Sequence, residues 1–328
     1  HKQKMNYITN DDTIIFNSEF NEEIDTKLIF GYKKLIFSNY ELDGRLFEHY
    51  ANDDYDYDVE YIGSLFNQDI SKLPHNLTHL TFGHDFNQDV SKLPHGITHL
   101  TFGYEFNQNV SNLPQGITHL SFGNDFDKNV SVLPHSLTHL TFGSNFNQNV
   151  SKLPHNLTYL IFGWYFNRDV SNLPHNLTHL AFDRWFDKDI SKLPHNLTHL
   201  TFGHNFNQDV SKLPHILTHL TFGFYFNQDV SALPNGLTHL TFGYWFNKDV
   251  SNLPHSLTHL TFGLNFNQDV SKLSHNLTHL TLGHKFMKEC NALPNIKYLK
   301  LDANNPYIIN FLPNSIIELE LDHRFNLE

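Results

Sequence analysis

The chain is 328 residues long and 39% hydrophobic, enough for a sizeable core and too apolar for a disordered segment. Its 22 basic and 34 acidic residues leave a formal charge of -12, which opposes a phosphate backbone and excludes nucleic acid as the expected partner. The single cysteine, Cys290, excludes an internal disulfide, and no apolar run reaches the roughly 18 residues of a transmembrane helix, so no membrane role is expected.

In chain order, the first stretch is HKQKMNYITNDD, which has no apolar centre of the kind a signal peptide needs, and a cytoplasmic chain is the expectation. Residues 1–65 hold 14 acidic and 6 basic residues, so this segment carries -8 of the net charge. Within it, Phe20 to Ser38 reads as a worn repeat, and residues 41–63 read as a second, acidic one or an excursion. Residues 1–65 are expected to form an acidic N-terminal cap with degenerate repeats.

From Phe66 the unit FNQDVSKLPHNLTHLTFGxx recurs every 20 residues without insertion, giving eleven regular repeats over 66–285. In each unit the LTHLTF run has the L-x-x-L-x-F spacing of a strand, with Leu80 and Phe82 inward and His79 and Thr81 on the opposite face. Gly83 ends the strand, Phe86 turns inward again, and Val90 and Leu93 anchor the return. Pro94 lacks an amide proton and Ser91 favours turns, so the return is expected to be irregular or 3₁₀ and not an α-helix. A lone coil buries too little to offset the ordering of its backbone, so the coils must stack. Residues 286–328 degrade the pattern, with Leu282 in place of the column Phe, Ser274 in place of the column Pro, and a polar-faced coil from Phe311 to Asn326. They are expected to form C-terminal capping repeats. The fold class is a β-dominated, leucine-rich-repeat-like, right-handed solenoid with a parallel sheet on one face.

The recurring Phe-Asn pair, the Leu-Pro and the L-x-x-L-x-F strand resemble the FNIP repeat family, known from slime moulds and from giant viruses of amoebae. The resemblance covers about residues 64–325. It implies non-enzymatic protein interaction, and in giant viruses a structural role in the particle. Many family members carry an F-box, which implies a ubiquitin-ligase adaptor, but residues 1–65 lack a Leu-Pro opening followed by a helical leucine pattern.

Two histidine columns hold 19 of the 25 histidines. One lies on the sheet face: His79, His99, His119, His139, His179, His199, His219, His239, His259 and His279, with Tyr159 in the gap. The other comes directly after the proline, as at His75 and His95. Imidazoles in register point in parallel, about 4.8 Å apart, and do not converge on a tetrahedral metal, so a stacked ladder is expected and no metal. The Asn after each column Phe (Asn67, Asn87, Asn107, with Asp127 and Asp187 as variants) is read as a bridge between the backbones of adjacent coils. Eight N-x-S/T sequons occur, NLT at Asn76, Asn156, Asn176, Asn196 and Asn276 and NVS at Asn109, Asn129 and Asn149; they read as a product of repetition.

The sites free to vary are the two residues after the glycine, and all three tryptophans lie there. Trp164, Tyr165, Trp185, Phe224, Tyr225, Tyr244 and Trp245 are expected to form one aromatic patch on the rim, of the composition that dominates binding hot spots. The alternative is that half of each pair packs back on the Phe column. No P-loop, dinucleotide fingerprint, nucleophile elbow or CxxC pair is present, so no enzyme and no cofactor are expected. The sequence supports a scaffold that binds an unidentified protein partner through the aromatic rim and the His/Thr face. A self-assembling structural protein of a giant-virus particle and a ubiquitin-ligase adaptor stand as alternatives.

Overall fold

A computed structural model describes residues 6–38, 63–288, 293–302 and 312–321. The acidic stretch expected at 41–63 lies outside them except for Gly63, as do Cys290 and the two ends of the last expected coil, residues 311 and 322–326. The chain forms two compact units, residues 1–157 with 161–163, and residues 158–160 with 164–328.

The first unit opens on an antiparallel hairpin, β1 (Tyr7–Asn10) and β2 (Thr13–Phe16), turned at Asp11, whose φ is 45°. A four-residue helix, α1 (Thr26–Ile29), is capped by the Asp25 carboxylate, which accepts from the Lys27 amide. β3 (Lys34–Phe37) pairs in parallel with β2 on one side and with β4 (His79–Thr81) on the other. β5 (His99–Thr101), β6 (His119–Ser121) and β7 (His139–Thr141) continue in the same order and register. The worn repeat is thus a true coil: Phe37 stacks on Phe66 at 3.8 Å and on Phe82 at 5.8 Å, continuing the aromatic column. The hairpin before it has no counterpart in the repeat, which is why the period did not reveal it. Its local signal is present all the same, since YITN and TIIF flank a turn at Asp11 and Asp12.

β8 (Tyr159–Ile161) has residues in both units. The second unit stacks β9 (His179–Ala181), β10 (His199–Thr201), β11 (His219–Thr221), β12 (His239–Thr241), β13 (His259–Thr261), β14 (His279–Leu282), β15 (Tyr298–Leu301) and β16 (Glu318–Leu321), all parallel and in register. At its end Ile317 is 70% exposed, and Leu319 is exposed as well.

Every regular coil buries the same six apolar side chains. In the coil of β6 they are Ile117, Leu120, Phe122, Phe126, Val130 and Leu133, all at 4% exposure or less. The two phenylalanines of one coil stack at 3.7 Å (Phe122 on Phe126), and each meets its copy in the next coil, at 5.6 Å for Phe122 on Phe142 and 6.1 Å for Phe126 on Phe146. The return is a pair of turns: the Leu113 amide donates to the Val110 carbonyl and the Ile117 amide to Pro114. A carboxylate clip precedes them, in which Ser91 donates its amide and its hydroxyl to Asp89 at 2.9 and 2.7 Å. Proline and clip together hold the return out of a helix, as the sequence required. The two units are β-solenoids of the leucine-rich-repeat type with almost no helix.

The glycine after the strand is demanded by closeness of backbone and not by φ. A Cβ built on Gly143 would lie 2.1 Å from the Gly123 carbonyl oxygen. Asp183 is the one non-glycine in this column between Gly83 and Gly283, and nothing in the structure explains it.

Candidate functional site

Three side-chain columns face outward from this scaffold, and the first is the histidine ladder. Rings of neighbouring coils stack at 4.2 Å with 12° between planes, as for His99 on His119 in the first unit and His199 on His219 in the second. His79 stacks on His99, His119 on His139, His179 on His199, His219 on His239, His239 on His259 and His259 on His279 in the same way, while Tyr159 tilts 34° against His179. The rings are half-buried and not exposed as single-strand alternation implied, because each ring is covered on both faces by its copies.

The tautomer is set by the preceding threonine. The Thr98 hydroxyl donates to the Thr78 carbonyl at 3.1 Å and lies 2.9 Å from His99 Nδ1. A hydroxyl has one proton, so Nδ1 is the donor to Thr98 Oγ1 and Nε2 carries the lone pair. The same pair of contacts recurs at Thr118, Thr198, Thr218, Thr238, Thr258 and Thr278. Burial holds His99, His119, His199, His239 and His259 below the ordinary imidazole value, and the neighbouring rings add like-charge repulsion. At His79 burial leads and Lys34 adds to it.

The second column is the asparagine after the first phenylalanine. Asn87 Oδ1 accepts from the Asn107 amide at 3.0 Å and from Gln108 Nε2 at 3.0 Å, so each side chain satisfies the backbone of the next coil. Asp127 does the same for the Asn147 amide at 2.9 Å, because only the acceptor oxygen is used. The sequons separate by the same test. In the NLT set, Asn156, Asn196 and Asn276 donate Nδ2 to the carbonyl of His135, His175 and His255 in the preceding coil. In the NVS set, Asn109, Asn129 and Asn149 use Oδ1 to accept the amide two residues on.

The third column pair is the rim. Its backbone is laddered like a strand: the amides of Trp185, Asn205, Tyr225, Trp245 and Asn265 donate to the carbonyls of Trp164, Arg184, His204, Phe224 and Tyr244 in the preceding coil at 2.8 to 3.0 Å. The side chains therefore rise from fixed positions, one pair per coil. Trp164, Tyr165, Trp185, Tyr225 and Trp245 are between 46% and 51% exposed. Phe224 and Tyr244 are half-buried because they stack on each other at 4.5 Å, with His204 at 5.9 Å from Phe224. The Arg184 guanidinium lies 5.4 Å over the Trp164 ring. All seven aromatic positions named from the sequence lie in the second unit. Further along the rim Asn265 is buried, and its Nδ2 has no hydrogen-bond partner.

Two features were not foreseen from the sequence. In the first unit the rim turns acidic, and His84 Nδ1, bonded to Asp85 at 2.6 Å, has the carboxylate of Glu105 in the same cluster, with ligand-type atoms within 4.8 Å of one another. The pairing of His-Asp with an acid one period later was the available signal. Beside α1, Phe30 is 75% exposed over a groove lined by Thr26, Leu73, Pro74 and His75. Among the described residues no helix is long and apolar enough to cross a membrane.

The repeat unit also relates the chain to known proteins. No curated protein matches the sequence significantly. Among solved structures, CroV588, described as a novel circular LRR protein, is 32% identical over 99% of this chain and 71% of its own, with a TM-score of 0.48. The functional domain of InlJ from Listeria monocytogenes, which includes a cysteine ladder, is 20% identical over 79% of this chain and 61% of its own, with a TM-score of 0.50. The internalin InlF of the same species is 19% identical over 77% of this chain and 82% of its own, at a TM-score of 0.49. The FNIP repeat model matches in nine overlapping segments, from residues 66–105 to residues 226–265. With its phenylalanine columns, asparagine bridges and leucine-rich strands in register across those segments, the chain belongs to the FNIP repeat family.

Proposed function

We propose that this chain is a non-enzymatic scaffold that binds a protein partner through the aromatic rim of its second unit, with the adjoining His/Thr sheet face as a flanking surface. One observation carries the reading. The phenylalanine, leucine, threonine and asparagine columns are each occupied by contacts within the solenoid, whereas the rim holds three half-exposed tryptophans that the core does not use. Aromatic side chains of that size, fixed on a rigid backbone, lose little freedom on binding and bury large areas. Catalysis is disfavoured because the histidines, threonines and aspartates of the columns recur as equivalent copies, and an active site needs distinct groups in distinct roles. The FNIP repeat match across residues 66–265 supports a repeat scaffold as the class.

The test is a pull-down from host lysate with the wild-type chain and with Trp164→Ala/Trp185→Ala/Trp245→Ala. A partner held by the wild type and lost by the variant, with the circular-dichroism melt unchanged, is the expected result. A partner held equally by both would move the binding surface away from the rim.

A further inference from the structure

From 165 to 265 the second residue of each rim pair reads Tyr165, Trp185, Asn205, Tyr225, Trp245, Asn265, which is Tyr-Trp-Asn twice before Lys285 breaks the pattern. The motif returns every three coils, about 14 Å at a strand spacing of about 4.8 Å. The first residue of each pair reads Trp164, Arg184, His204, Phe224, Tyr244, Leu264. Neither series contains an acid, although the molecule as a whole is acidic.

Both series are self-complementary when reversed. An isologous contact places residue i of one copy against residue j of the other and j against i, so a strip that is to pair with itself must match its own reverse. We propose that the strip from Arg184 to Trp245 pairs with the same strip of a second copy, antiparallel, about a two-fold axis between the 204–205 and 224–225 pairs. This rests on the reading of the rim as a binding surface and names the partner.

Trp185 then meets Trp245 of the second copy, and the same contact occurs again across the axis. Asn205 lies against Tyr225 of the second copy, an amide opposite a phenol that can both donate and accept. In the other series Arg184 meets Tyr244, a cation over an aromatic face, and His204 meets Phe224. No like charges oppose each other. The backbone ladder between rim residues fixes the spacing on both copies, so the register is set by the solenoid itself. Tyr165 and Asn265 are left out of the pairing because Asn265 is buried in its own coil. An extended peptide, advancing about 3.3 Å per residue, does not hold step with a repeat of this length, whereas a second solenoid of equal pitch does at every coil. Four coils make a narrow strip at the low end of interface sizes, where weak, transient associations lie.

Sedimentation equilibrium of the full chain, from roughly micromolar to hundreds of micromolar concentration, tests the proposal. The wild type is expected to pass from monomer to dimer, and Trp185→Ala/Trp245→Ala to remain monomeric at an unchanged melt. Register is read independently with a short bismaleimide, in a Cys290→Ser background. Arg184→Cys copies are expected to link to Tyr244→Cys copies, and neither to itself. Self-linking of Arg184→Cys copies would overturn the antiparallel register. A wild type that stays monomeric, while the Trp pair is still needed to hold a foreign protein, would overturn self-pairing and leave the rim as a binding surface. A monomer in which the Trp substitutions change no binding at all would overturn both.

Discussion

His99 is held by four neighbours: His79 and His119 on its faces, the Thr98 hydroxyl at Nδ1, and the sheet below. Protonation of such a ring places a charge between two others and needs solvent at an edge that burial restricts. Because the folded-state values of His79, His99, His119, His199, His239 and His259 lie below 6.5, the unfolded chain binds more protons as the pH falls through and below that value. Their stabilising contribution is therefore complete above pH 6.5 and is lost on acidification from there downward, and the melting temperature should drop between pH 7.5 and 5. An unchanged melt over that interval would contradict the ladder. The exposed aspartates of the return have the opposite place on the scale. Hydrogen bonds from Ser91 hold Asp89 below 3.8, so what that clip contributes disappears only under stronger acid. Replacing Thr198 by Val removes the acceptor of His199 Nδ1 and the donor to the Thr178 carbonyl. It should cost about 1–2 kcal/mol, read by urea denaturation, and shift the His199 imidazole signal in NMR titration.

At the scale of one coil, the demands of the neighbours decide what each position tolerates. Asn87→Ala removes the oxygen that takes the Asn107 amide and the Gln108 side chain, and should cost about 1–2 kcal/mol in denaturant titration. Asn87→Asp keeps that oxygen and should be near neutral, as the natural Asp127 and Asp187 already indicate. Gly143→Ala forces a methyl group onto the Gly123 carbonyl and should destabilise by about 1–3 kcal/mol or more through displaced backbone. These columns were legible in the sequence because every coil answers to the same constraint, so the period itself displays it. Contacts between coils were less legible. Alternation along one strand puts His79 and Thr81 at the surface, and only the stacked copies turn them into half-buried groups. The role of Thr78 in fixing the tautomer was hidden for the same reason, since its two partners are the next residue and a carbonyl a whole coil away. The β1–β2 hairpin lay outside the repeat, and the half-burial of Phe224 and Tyr244 comes from their stacking on one another, which composition does not show.

For the molecule as a whole, the repeat separates two kinds of position. Columns are held by identical obligations, and their residues vary only where the obligation allows it. The rim pairs share a backbone ladder from coil to coil, and there the side chains differ, acidic in the first unit and aromatic in the second. Recognition assigned to the rim and stability assigned to the columns is the central claim, and equilibrium denaturation of two variants tests it directly. Phe206→Ala, in a column where the ring is fully buried, should lose about 3–5 kcal/mol. Trp164→Ala/Trp185→Ala/Trp245→Ala, measured at a concentration where the chain is monomeric, should stay within about 0.5 kcal/mol per site of the wild type. A triple variant that loses as much as Phe206→Ala would place the tryptophans in the core's service and contradict the account.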